Sequence, residues 1–233
     1  MTTVIPSDLA DSRLRRRWPF FLRRLHSLTG IMFGAYLIVH LVINATLAQG
    51  NTPRDFYQGH VGRIHAVPFL AGVEWVFIFV PILYHAIYGT WLTFTAKWNV
   101  DHYPYLKNWL YVCQRISGFI LALFILFHVL SLKGVFGGRL AFDPNRATLS
   151  IVSHVNATWA LAYLVYPIGI LASAYHTANG FWTAGITWGL TISTGGQRRW
   201  GYVCAGVGVV LLACGLMALI AAVHDASHLV ARK

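Results

Sequence analysis

Residues 23–44 read RRLHSLTGIMFGAYLIVHLVIN. Two arginines open the stretch, an apolar run follows, and His40 stands deep inside that run. A hydrocarbon core is crossed by about 20 predominantly apolar helical residues, so the stretch reads as a span entered from a basic side. An ionisable side chain at such depth is costly unless it finds a partner, which makes it a candidate for function. The pattern recurs in three further apolar runs, each with one deep histidine: His85, His128 and His176.

Working outward, five stretches have the length and composition of a span, about 27–49, 67–96, 109–132, 154–180 and 201–223. The expectation is an all-α integral membrane protein of five transmembrane helices, the first four forming a bundle and the fifth flanking it. The fifth stretch carries no histidine and many small residues, as a packing helix would. Domain organisation follows as a basic N-terminal segment 1–26, one membrane domain 27–223 and a short tail 224–233. Of 233 residues, 57% are hydrophobic and 11% charged, and the connections are too short to hold a separate soluble domain. The net charge of +11 does not point to nucleic acid, because its placement follows the membrane. Eleven of the basic residues, from Arg13 to Arg24 and then Lys97, Lys107, Arg115, Arg198 and Arg199, fall on one side; seven fall on the other. Short flanking segments rich in Lys and Arg stay cytoplasmic, which places the N-terminus inside and the C-terminus outside. The N-terminal arginines read as a lipid-contacting segment; no small-residue cleavage site follows an apolar stretch of leader length. Cys113, Cys204 and Cys214 form no CxxC pair and are expected to be buried, inert thiols.

Alternating direction gives each histidine a depth. His40 on the first span and His128 on the third fall in the outer half; His85 on the second and His176 on the fourth fall in the inner half. Each layer therefore offers two imidazoles from two helices, with no carboxylate or thiolate joining them. Mononuclear zinc or copper sites want three or four ligands. Two imidazoles suffice for the axial positions of a haem, whose work when both are filled is electron transfer. The reading is two b-type haems, an inner one on His85 and His176 and an outer one on His40 and His128.

Gly30 and Gly118 each precede an outer ligand by ten residues. Ten helical residues rise about 15 Å and return to within about 80° of the same face. Both glycines thus fall at the inner layer, where missing side chains leave room for a macrocycle; close helix packing is the alternative use. Arg24, His26, Ser27 and Arg115 cluster at the inner mouth as candidate partners for anionic propionates. Glu74 is the one carboxylate within a predicted span, near the outer end, and is a candidate for proton exchange with a quinone. Asn44, one turn beyond His40, either donates to a quinone carbonyl or caps local backbone. The remaining histidines, His154 among them, are expected to be polar groups at the interface. Tryptophans and tyrosines near the span ends form the ordinary interfacial belt.

The strings RRLHSLTG…HLVIN (23–44), EWVFIFVPILYHAIYGTWLTFTAKWN (74–99), NWLYVCQRISGFI…FHV (108–129) and YHTANGFWTAGITWGL (175–190) resemble the cytochrome b membrane anchor of succinate:quinone oxidoreductases, in its single-chain, five-helix, two-haem form. The resemblance implies that His85 and His176 hold the haem nearer the hydrophilic subunits, and His40 and His128 the distal one. It implies an iron–sulfur subunit and an FAD flavoprotein as partners, a bacterial cytoplasmic membrane, and a quinone as the membrane substrate, menaquinone rather than ubiquinone. The dicarboxylate chemistry lies in the flavoprotein, not in this chain. Two other readings share some of the features: the dihaem cytochrome b of a hydrogenase, formate dehydrogenase or nitrate reductase, and a transporter relaying protons through histidines.

Overall fold

The computed structural model describes residues 7–49, 55–97 and 100–230, with side chains described from 18 to 225 within those limits. The side chains of Arg13, Arg15, Arg16, Arg17, Arg54, Arg232 and Lys233, which enter the charge count above, lie outside that set.

Every regular element among the described residues is helical: α1 Ser7–Ala45, α2 Phe56–His65, α3 Leu70–Glu74, α4 Val80–Thr95, α5 Leu106–Leu132, α6 Ala147–Val155, α7 Tyr166–Thr187 and α8 Thr194–Val230, with short 3-10 and π turns between. Among the described residues four segments are long and apolar enough to cross a membrane: Trp18–Gln49, Leu70–Thr95, Leu106–Leu132 and Thr194–Asp225. They coincide with four of the five expected spans; they run past the predicted ends at 27, 109, 201 and 223, meet those at 49 and 132, and stop slightly short of 67 and 96. The overshoot has a simple cause: polar turns at a helix end carry no apolar signal yet remain helical.

The stretch expected as a span over 154–180 is not one continuous α-helix. It is divided among α6, a π turn Leu161–Val165, and α7. Pro167 accounts for the π turn. Proline has no N–H to give the carbonyl four residues back, and its ring presses on that carbonyl. Here that residue is Tyr163, the centre of the π turn, and the ladder instead closes from the Tyr166 N–H to the Leu161 carbonyl. The second span repeats the device. Pro81 follows a π turn Trp75–Phe79 centred on Phe77, closed from the Val80 N–H to the Trp75 carbonyl.

Helices α1, α4, α5 and α7 pack in a ring, each against the next, and α8 lies across α1 and α7. Association within a bilayer relies on close van der Waals fit and small residues, and α8 supplies both. A methyl group on Gly208 would stand 2.8 Å from the Ala178 Cβ, and one on Gly215 would stand 2.6 Å from Ile170 Cγ2. Leu211 and Cys204 are almost wholly buried, so α8 is a packed wall and not a loose strut. Cys113, by contrast, is exposed.

At the end of the ring that the charge pattern reads as outer, α2 and α6 close over it and bury Leu47, Tyr57, Val61, Ile151 and Val152. Gln58 fastens this cap. Its amide donates to the Pro144 carbonyl at 2.8 Å and accepts from the Ala147 N–H at 2.6 Å, while the Thr148 hydroxyl donates to Asp55 at 2.6 Å. At the inner end of α7, Gly189 takes a positive φ of 73°, and the Leu190 N–H returns to the Gly185 carbonyl at 2.9 Å. That glycine-dependent reversal stops the helix.

Candidate functional site

Two histidine pairs form inside the ring. His85 on α4 faces His176 on α7 with ring centres 6.1 Å apart and planes at 88°. His40 on α1 faces His128 on α5 at 6.2 Å and 84°. Two imidazoles on one metal ion, each with a bond of about 2.0 Å and roughly 1.1 Å from nitrogen to ring centre, put their centres about 6.2 Å apart. The spacing in both pairs matches what one metal held between the rings would need. Among the described residues no three His, Cys, Asp or Glu side chains converge in the manner of a zinc or copper site.

Each of the four rings has its Nδ1 engaged. His85 Nδ1 lies 2.9 Å from the His26 carbonyl, and His176 Nδ1 lies 3.1 Å from the Gln114 carbonyl and 3.2 Å from Ser117 Oγ. His128 Nδ1 lies 3.1 Å from the Tyr166 hydroxyl, and His40 Nδ1 lies 3.4 Å from the Tyr36 hydroxyl. A hydrogen bond at one ring nitrogen decides which one is left for a metal. Here that nitrogen is Nε2 in all four.

The glycines at the inner layer have a more direct use than the sequence suggests. A methyl group on Gly30 would stand 2.5 Å from His85 Cε1, and one on Gly118 would stand 2.8 Å from His176 Cε1. The clearance is taken by the imidazole of the neighbouring helix, which lies against bare backbone. Gln114 completes the setting of His176: its side chain donates to the His176 carbonyl at 3.1 Å and accepts from the Asn179 amide at 2.8 Å.

The polar groups expected at the inner mouth divide between two places. His26 stacks flat on His85, ring centres 4.0 Å apart at 9°, with a buried Nδ1 that has no hydrogen-bond partner in the structure. Ser27 accepts from the Trp188 indole at 3.0 Å, and the Arg24 guanidinium lies over the Phe20 and Trp188 rings at 5.0 and 4.8 Å. Arg115 is buried, bonds the Tyr111 hydroxyl and lies over that ring at 4.0 Å.

At the outer layer Glu74 ends α3 and is half-buried. Asn44 takes the local option: its amide donates to the His40 carbonyl at 2.7 Å.

Tyr36, Tyr166, Gln114 and Ser117 do not figure in the sequence reading. Tyr36 was within reach, standing one helical turn before His40 on the same face; the other three meet their histidines only through tertiary packing. His154 departs from expectation most. It is not interfacial but fully buried, with Nδ1 2.8 Å from the Leu140 carbonyl and its ring edge-on to Tyr166 at 5.7 Å. Burial holds this imidazole below its ordinary value and therefore neutral, the Leu140 contact opposing the shift only in part. Burial likewise pushes the Tyr57 phenol on α2 upward.

A family model described as succinate dehydrogenase/fumarate reductase transmembrane subunit matches residues 95–215. The chain is also similar to the succinate dehydrogenase cytochrome b558 subunit of Bacillus subtilis (strain 168), at 35% identity over 205 residues that span 87% of this chain and 96% of that relative.

Proposed function

The chain belongs to the succinate dehydrogenase/fumarate reductase transmembrane-subunit family, and from that premise we propose that it is a dihaem cytochrome b passing electrons between an iron–sulfur subunit and a membrane quinone. His85 and His176 would hold the inner haem, and His40 and His128 the outer. The observation that carries this reading is the pair of ring separations, 6.1 and 6.2 Å, with all four Nδ1 atoms already committed. A b haem with imidazole on both faces supplies one-electron transfer and offers no open position to a substrate.

The chain's own groups fit such a cofactor elsewhere. The unpartnered His26 Nδ1 and the buried Arg115 lie at the inner end, where an anionic propionate is received by a donor and a cation. Arg24 and Ser27 extend that donor set along α1. Gly30 and Gly118 let the inner imidazoles approach, and any larger side chain there would push them off line. In this reading Glu74 exchanges protons with a quinone, menaquinone, at the outer layer, with Asn44 as a second polar group there.

The π turn Leu161–Val165 and α7 together make the fifth crossing, completing one membrane domain over 27–223 between the basic segment and the tail. The N-terminus lies in the cytoplasm and the C-terminus outside, which turns the inner pair toward the iron–sulfur and FAD subunits. Succinate and fumarate are handled in the flavoprotein, not here.

Haem quantitation by pyridine haemochromogen on the purified complex tests the reading. Two b haems per chain are expected, with His85→Ala or His176→Ala removing one and His40→Ala or His128→Ala removing the other. A complex with no haem, or losing the same haem in all four variants, overturns it.

A further inference from the structure

The four imidazoles are not held alike. Both inner rings rest on main-chain carbonyls, those of His26 and Gln114, the Ser117 hydroxyl being a second contact of His176. Both outer rings rest on tyrosine hydroxyls, His40 on Tyr36 and His128 on Tyr166. A carbonyl in a helix can only accept, and no substitution removes it. A phenol can be removed, and it places its own proton according to its surroundings.

Tyr166 is buried and fixed on two sides, edge-on to Phe124 at 5.6 Å and to His154 at 5.7 Å. A phenol thus meets each outer imidazole and neither inner one.

We propose that Tyr36 and Tyr166 are positioning residues that set the reduction potential of the outer centre alone. The inference rests on the haem reading above. A metal-bound neutral imidazole carries its proton on Nδ1. When a hydroxyl oxygen accepts that N–H, the ring becomes a stronger electron donor and its orientation is fixed. Greater donation favours oxidised over reduced iron, and second-shell hydrogen bonding is one of the recognised controls of haem potential. Removing the hydroxyl therefore makes the outer centre easier to reduce and frees its rings to turn.

The test is a redox titration of the purified complex, wild type against Tyr166→Phe and Tyr36→Phe, followed by visible absorption and low-temperature electron paramagnetic resonance. The expected result is full haem content with one midpoint raised and the other unmoved. The raised centre should show a roughly tenfold change in its reduced-to-oxidised ratio at fixed potential, about 59 mV for one electron. Its low-spin g values should move as well, which a purely structural loss would not confine to one centre. Full haem content with both midpoints unchanged, or both shifted equally, overturns the inference. If Tyr166→Phe loses haem, Tyr36→Phe, on a different helix, decides by the same criteria. A wild-type complex without two b haems overturns the haem reading itself, a failure separate from an unshifted variant.

Discussion

Gly118 leaves almost no clearance to a proposed haem ligand. A methyl group there would stand 2.8 Å from His176 Cε1 and 3.3 Å from its Nδ1, the nitrogen bound to Gln114. Neither the ring nor the α5 backbone can yield without breaking that hydrogen bond. Gly118→Ala is expected to weaken retention of the inner haem roughly 10–100-fold, the usual cost of disturbing a ligand's support, while the outer haem stays. Haem stoichiometry after washing checks this, and Gly59→Ala, which meets nothing within 4 Å, is the control. The histidines were legible in the sequence because a deep imidazole is rare enough to be noticed alone. Their supports were not: a tyrosine in a membrane helix looks like one more member of the interfacial belt, and a main-chain carbonyl has no sequence at all. His154 misled for a related reason, since nothing local to 147–155 reports that the Leu140 carbonyl and the Tyr166 ring close over it.

Among the elements, the two π turns are the least expected feature and the most regular. Both sit in the outer half of a helix that contributes an inner ligand, and both are followed by a proline, Pro81 or Pro167. The apolar runs located these helices, and the prolines stood in plain view, but a run of Val, Ile, Phe and Leu has no period that separates an α from a π turn. A proline in an uninterrupted helix costs about 3 kcal/mol. If the wide turn has already relieved the clash, Pro167→Ala changes stability by less than about 1 kcal/mol, since only the missing N–H is restored. Denaturation of the detergent-solubilised complex distinguishes that outcome from a gain near the full value, which would mean the ring was pressing on the Tyr163 carbonyl. The consequence for the site is spatial: the turn before Tyr166 sits where that residue meets His128, one of the proposed outer ligands.

On the scale of the whole molecule, the proposed layout stacks one centre above the other along the membrane normal, separated by about 15 Å of helical rise. With the quinone at the outer layer, every electron delivered crosses part of the membrane field, worth about 2.3 kcal/mol per charge per 100 mV. Succinate:quinone turnover in sealed vesicles should therefore change when an uncoupler collapses the potential, and an unchanged rate in tightly coupled vesicles would place the quinone at the inner face. The ring of helices also has an order in time. Ligands appear along the chain as His40, His85, His128 and His176, so the two pairs interleave rather than follow one another. During synthesis α1 must wait in the bilayer through the arrival of α4 before α5 brings its partner, and α4 must wait in turn for α7. Neither pocket can close early on a fragment, and the outer one closes first. If the proposed ligands hold two haems, biogenesis of the subunit becomes a sequence of two gated insertions, with haem delivery to the inner pocket deferred until the last ligand-bearing helix has entered the membrane.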